Sequence, residues 1–281
     1  MSLVAAAYAA LLPDLALAAQ PDPRATRSPM IVDAKALAAF KKLQAEIPGR
    51  EGVAIVTYVN GKPIAVELGD VRTGVAWSTS KVPVAMALYA RNGGRVTAQM
   101  KSAITMSDNT AALGMWSSLG GGETAAARAE QQLRLAGDTQ TQVQGRVLRA
   151  GFTPFGQTQW RLADQAQLAA SMPCMKSGPA VLRLMDNVTR SQQWGLGTIN
   201  SGARFKGGWG PGVRPGKADG YLVRQFGLVT IGKNHYGISI AAQPANGSFG
   251  TGAQSLTRIS GWASRYLPKA AFSTRSGCIS R

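Results

Sequence analysis

Ser78-Thr79-Ser80-Lys81 marks the point at which the chain changes character, from alternating apolar patterns to helical spacing. Upstream, Leu37, Phe40, Leu43 and Ile47 recur at helical intervals after Asp33, a good N-cap residue, and predict one amphipathic helix ending at Pro48-Gly49. Val53 to Val59 and Pro63 to Leu68 then read as two strands joined by an Asn60-Gly61 hairpin turn. Downstream, Val82–Tyr89, Thr110–Leu119, Glu123–Leu135, Leu162–Met172 and Pro179–Val188 carry helical spacing, so residues 78–200 read as helix and loop throughout. Strand patterns return at Ala203–Lys206, Tyr221–Ile231 and Tyr236–Ala242, followed by a last helix over Thr251–Tyr266. Strands at both ends with helices between them predict an α+β protein. Its antiparallel sheet is built from the two ends of the chain, its helical lobe is inserted in the middle, and a site lies at their junction.

The same four residues carry the chemistry. A serine and a lysine three apart at a helix start share one face, where an amine can take the proton of a hydroxyl. Two companions follow in order: Ser107-Asp108-Asn109 and Lys206-Gly207-Gly208. The only histidine, His235, lies in a predicted turn (Gly232 to Gly237), and the chain has no Gly-x-Ser-x-Gly elbow, which argues against a Ser-His-Asp triad.

With these motifs in view, Ser102 to Ala112, Ser-Ala-Ile-Thr-Met-Ser-Asp-Asn-Thr-Ala-Ala, resembles the matching stretch of class A β-lactamases. The whole set is similar to that family and to penicillin-binding proteins over about Asp33 to Leu267. The resemblance implies a β-lactamase/transpeptidase-like fold and roles for particular residues. Ser78 would be the nucleophile and Lys81 its base, while Ser107 would relay a proton toward the leaving nitrogen. Asn109 would hold the substrate's acylamide and the lysine. Lys206 would face Ser107 and a substrate carboxylate, Gly208 would let the substrate lie along the strand, and the backbone N–H of Trp209 would be the second oxyanion donor beside that of Ser78. Arg224 is a further carboxylate-binding candidate, and Asp108 is expected to be structural, as part of a helix cap.

Three departures from the family pattern shape the functional expectation. Gly207 stands where Thr or Ser is usual, which removes one hydroxyl contact to a substrate carboxylate. Only 29 positions separate Ser78 from Ser107, roughly half the usual separation, which predicts a more open cleft. Between Asp138 and Asp164, where class A β-lactamases carry the glutamate that activates the deacylating water, Thr139 to Ala163 contains no Asp or Glu. General-base assistance contributes roughly 10²–10⁴ in rate. The expected function is therefore a serine acyl-enzyme hydrolase acting on a β-lactam or a cell-wall peptide, with slow β-lactam hydrolysis. The alternative is a catalytically silent envelope protein that keeps the fold as a binding module.

Bulk properties bound the rest. The chain has 281 residues, 45% of them hydrophobic, enough for one large domain or two interleaved lobes. Its net charge of +17 favours anionic surfaces such as cell-wall polymers. Basic runs and interleaved aromatics are lacking, so nucleic acid is not expected as a partner. No cofactor and no metal site is expected, with one histidine and two cysteines, and a monomer is expected. Residues 1–19 read as a signal-peptide remnant, with Ala16-Leu17-Ala18 as a cleavage signal, implying an extracytoplasmic protein. Residues 20–32 read as a flexible lead, 33–270 as the catalytic domain and 271–281 as a tail. Within the domain, 33–75 and 201–270 form the α/β lobe and 76–200 the helical lobe. Cys174 and Cys278 either pair in a disulfide or stay apart, and the sequence leaves both open.

Overall fold

The computed structural model describes residues 31–199, 202–211 and 220–270. The expected signal segment, most of the lead, Cys278 and the tail lie outside the described residues. Asp33 caps helix α1 (Ala34–Glu46) by accepting the N–H of Ala36 at 2.7 Å. Strands β1 (Gly49–Val59) and β2 (Lys62–Gly69) follow as an antiparallel hairpin. Its turn is closed by Asn60 at φ 51° and Gly61 at φ 75°, the positive pair that an Asn-Gly hairpin requires.

Late in the chain come β5 (Ala203–Pro211), β6 (Tyr221–Ile231) and β7 (Asn234–Pro244). The five strands form one antiparallel sheet in the order β2-β1-β7-β6-β5. The early hairpin joins the late meander through the β1–β7 pair, in which Val53 faces Ile240 and Ile55 faces Ile238. This leaves β5 at an edge, free to present its backbone to a cleft. One face of the sheet is covered by α1 and by α8 (Phe249–Tyr266), with Phe40 and Trp262 in edge contact at 5.0 Å.

The other face carries the helices α2 (Lys81–Arg91), α3 (Ala98–Thr105), α4 (Asn109–Ser118), α5 (Gly122–Leu135), α6 (Leu162–Ser171) and α7 (Gly178–Met185). Their apolar sides meet in a second core that includes Met86, Met100, Ile104, Met115, Leu133 and Phe155. Two features differ from the sequence expectation. Helix α3 has too short an apolar pattern to stand out among its polar neighbours. The middle section is also not purely helical: β3 (Thr73–Val75) pairs with β4 (Gln159–Arg161) in a separate two-stranded ribbon just before Ser78. Strands of three residues carry no legible alternation. Among the described residues no helix is long and apolar enough to cross a membrane.

Candidate active site

Ser78 lies in a single 3-10 turn, Trp77–Ser80, ahead of α2 rather than within its first turn. The turn is tightly specified. Thr79 Oγ1 donates to Ala76 O at 2.5 Å and Ser80 Oγ to Trp77 O at 2.6 Å. Trp77 itself sits at φ 49°, a left-handed conformation that costs a bulky residue energy and is typical of functional turns. Gln165, on α6, donates from its amide to Thr79 Oγ1 at 2.8 Å and braces the turn from beneath. Ser78 faces a cleft of about 230 Å³ lined also by Trp77, Met106, Ser107, Asn109, Phe152, Thr153, Gln192 and Trp209.

Lys81 opens α2, and its side chain is buried. Its ammonium donates to Asn109 Oδ1 at 2.8 Å, to Ser107 O at 2.5 Å and to Ser107 Oγ at 3.3 Å, which uses all three of its protons. Burial lowers the Lys81 pKa to about 8, partly opposed by the nearby charge of Asp108. The carboxylate of Asp108 caps α4 through the Ala111 N–H at 3.1 Å and accepts from Ser102 Oγ at 2.9 Å, and those bonds hold it below the usual carboxylate range. Ser107, between α3 and α4, adopts φ 63°, and this bend turns its hydroxyl toward the sheet. There Lys206, fully buried on β5, donates to Ser107 Oγ and to Gly207 O, each at 2.9 Å. Burial first, and the charge of Lys81 second, push the Lys206 pKa well below its ordinary value.

The structure thus brings Lys81, Ser107, Asn109 and Lys206 into one hydrogen-bonded set, with Ser78 and Trp209 on the same cleft. The Ser78 hydroxyl makes no hydrogen bond among the described residues, so its contact with the Lys81 amine is unmade in this arrangement. Such contacts often tighten only when substrate is present. Gly208 lies directly against the nucleophile turn: a Cβ there would stand 2.8 Å from Ser78 N and 2.9 Å from Ala76 O. A glycine is therefore what allows the edge strand to approach the turn this closely.

Arg224 is placed differently from the expectation. Its register partner on β5 is Gly208, but its side chain is completely buried under the β3–β4 ribbon. There it donates to Gly74 O, Val75 O, Trp160 O and Gln165 Oε1 at 2.6–3.1 Å. Burial lowers its pKa to about 9. Such a guanidinium is unavailable to a substrate and serves instead to tie the ribbon to the sheet. His235 pairs with Thr230 at 3.0 Å beside the β6–β7 turn, and the cleft does not include it.

The stretch of cleft wall from residues 151–156 also has a clear composition. Gly151, Phe152, Thr153 and Gly156 supply it, and the described residues lining the cleft include no carboxylate. Gln157 spends its amide on Phe152 O, Thr153 O and the N–H of Arg149, and Trp160 donates its indole N–H to Asp138. Phe152, Thr153, Gln192 and Gln165 escaped the sequence reading because they come from loops and a helix far from the motifs. Trp77 escaped it as well, since adjacency to Ser78 in the chain is no motif signal.

Neither a known family profile nor a curated protein sequence matches the chain. Solved structures do. The TLA-3 extended-spectrum β-lactamase superposes with a TM-score of 0.61 at 11% identity, covering 82% of this chain and 99% of that one. A β-lactamase from Chitinophaga pinensis gives 0.61 at 15% identity, over 82% and 98%. PBP-A gives 0.55 at 19% identity, over 81% and 95%, and a substituted form of it was solved as an acyl-enzyme complex with penicillin G. The chain therefore has the α+β fold shared by class A β-lactamases and the penicillin-binding protein PBP-A.

Proposed function

We propose that the protein is an exported serine acyl-enzyme hydrolase that reacts through Ser78 with β-lactams or cell-wall peptides and turns over β-lactams slowly. The observation that carries this reading is the placement of two buried lysine amines on one serine hydroxyl beside Ser78. Such a pair suits the transfer of a proton from one atom to another. In the forward step the neutral Lys81 amine accepts the Ser78 proton as the Ser78 Oγ–C bond forms at the substrate carbonyl. The oxyanion is held by the backbone N–H groups of Ser78 and Trp209. The C–N bond then breaks, and the proton reaches the leaving nitrogen through Ser107, whose hydroxyl is polarised by Lys206. Lys206 and Asn109 also bind and orient the substrate.

Release of the acyl group needs a water and a base on the exposed face of the ester. The cleft wall of Phe152, Thr153 and Gly156 offers none, which supports slow release. The same wall favours the second reading, a silent envelope protein that binds without reacting. Fluorescent penicillin separates the two. The expected result is a covalent label on the intact protein that is absent in Ser78→Ala, with an intact-mass shift that persists for hours. An unlabelled wild-type protein would leave only the binding module.

A further inference from the structure

Gly207 is usually a hydroxyl residue in the family that this chain resembles, and the structure shows what fills the vacated space. A Cβ at Gly207 would lie 3.2 Å from Cη2 and 3.3 Å from Cζ2 of Trp194, so the indole edge crowds the space into which a Thr side chain would project. Trp194 is one of three aromatic residues in mutual contact: its ring centroid is 6.0 Å from Trp209 and 5.6 Å from Phe249, and Trp209 lies 5.2 Å from Phe249. All three rings stay partly exposed, and Trp209 lines the cleft together with Ser78, Ser107 and Asn109. The buried indole N–H of Trp194 has no acceptor among the described residues. An apolar cluster ends here at the reacting centre, where a polar contact would be needed to hold a carboxylate.

We infer that Trp194, Trp209 and Phe249 form an apolar subsite that selects an aromatic substituent on the leaving group of the substrate. This inference rests on the acyl-enzyme reading. The leaving group is the part concerned because its proton donor, Ser107, is bonded to Lys206, and Gly207 is the next residue on the same strand. Offset and edge-on aromatic packing suits a planar ring entering beside Trp209. A carboxylate at that point would lose a hydroxyl partner and meet apolar ring surface instead.

The test uses two thioesters with one N-acetylglycyl acyl group, one carrying benzyl mercaptan and the other mercaptoacetate as the thiol. In each reaction the Ser78 Oγ–C bond forms, the C–S bond breaks, and the thiolate takes the proton. After correction for hydrolysis in buffer, kcat/KM for the benzyl thioester should exceed that for the mercaptoacetate ester at least tenfold. Trp194→Ala should bring the ratio close to one, and Phe249→Leu, a milder change in case the first variant folds poorly, should lower it several-fold. The double variant Gly207→Thr with Trp194→Ala restores both space and hydroxyl and should shift preference toward mercaptoacetate. Equal rates with both esters in the wild type, or an unchanged ratio in the variants, overturn the subsite while leaving the acyl-enzyme reading intact. If neither ester gives an adduct on Ser78, both readings fall.

Discussion

Lys81 and Glu51 are buried ionisable residues whose environments act in opposite ways. The neutral form of Lys81 is the one that can accept a proton, and burial brings its pKa to about 8. Below that value the amine is charged and its three protons are committed to Ser107 and Asn109; above it a lone pair is free. The acylation rate should therefore rise with pH along a limb with its midpoint near 8, measured as label formation under single-turnover conditions. A rate independent of pH between 6 and 9 would show that Lys81 is not the base. Glu51, on β1, has both carboxylate oxygens buried without a hydrogen bond among the described residues. Burial first, and Asp70 second, raise its pKa to about 7 against a weaker pull from Arg50. The folded protein thus keeps a proton between about 4.5 and about 7 that the unfolded chain has lost, so this residue's contribution falls as pH rises through that window. Glu51→Gln keeps the neutral form at every pH. It should stabilise the protein by roughly 1–3 kcal/mol at pH 8 and by nearly nothing at pH 4.5, as read from thermal melts at the two values.

At the scale of elements, the site depends on how closely the edge strand β5 meets the 3-10 turn that carries Ser78. In Gly208→Ala the new methyl group would meet backbone atoms of Ser78, Ala76 and Thr79, none of which can move aside as a side chain would. Either β5 or the turn must shift. Overpacking of this kind costs about 1–3 kcal/mol in stability, while a misplacement near 1 Å is worth roughly 10² in rate. The variant should remain folded by circular dichroism and lose about 10²-fold in labelling rate; full labelling with an unchanged melt would contradict the close fit. Much of this assembly was legible in the sequence. Period-2 and helical spacing marked the sheet strands and most helices, and Asn60-Gly61 marked a hairpin, because each signal is local. The β3–β4 ribbon and α3 were not legible, since three-residue strands and an eight-residue helix with so short an apolar pattern are settled by tertiary contacts. Arg224 shows the same limit at the site. A strand arginine looks exposed in sequence, and only the folded ribbon supplies the carbonyls of Gly74, Val75 and Trp160 that bury it.

Across the whole molecule, positive charge dominates both surface and interior. Thirty-one Lys and Arg face fourteen Asp and Glu in the sequence. Inside, Lys206 and Arg224 are held among the described residues by neutral oxygens alone. On the surface, the ion pairs among the described residues, such as Arg146–Glu123 and Arg72–Glu67, engage only five arginines: Arg72, Arg134, Arg146, Arg161 and Arg258. A field of one sign raises the local concentration of anionic polymers over distances set by ionic screening. That range is about 10 Å at 0.1 M salt and about 3 Å at 1 M. If the protein works at a cell wall, its retention there should therefore be electrostatic and separable from the chemistry at Ser78. Co-sedimentation with purified wall polymer should fall at least fivefold between 50 mM and 500 mM salt, in the wild type and in Ser78→Ala alike. Retention that ignores salt would mean that the charge serves no such role, and retention lost only in Ser78→Ala would mean that the wall is held as a covalent acyl adduct.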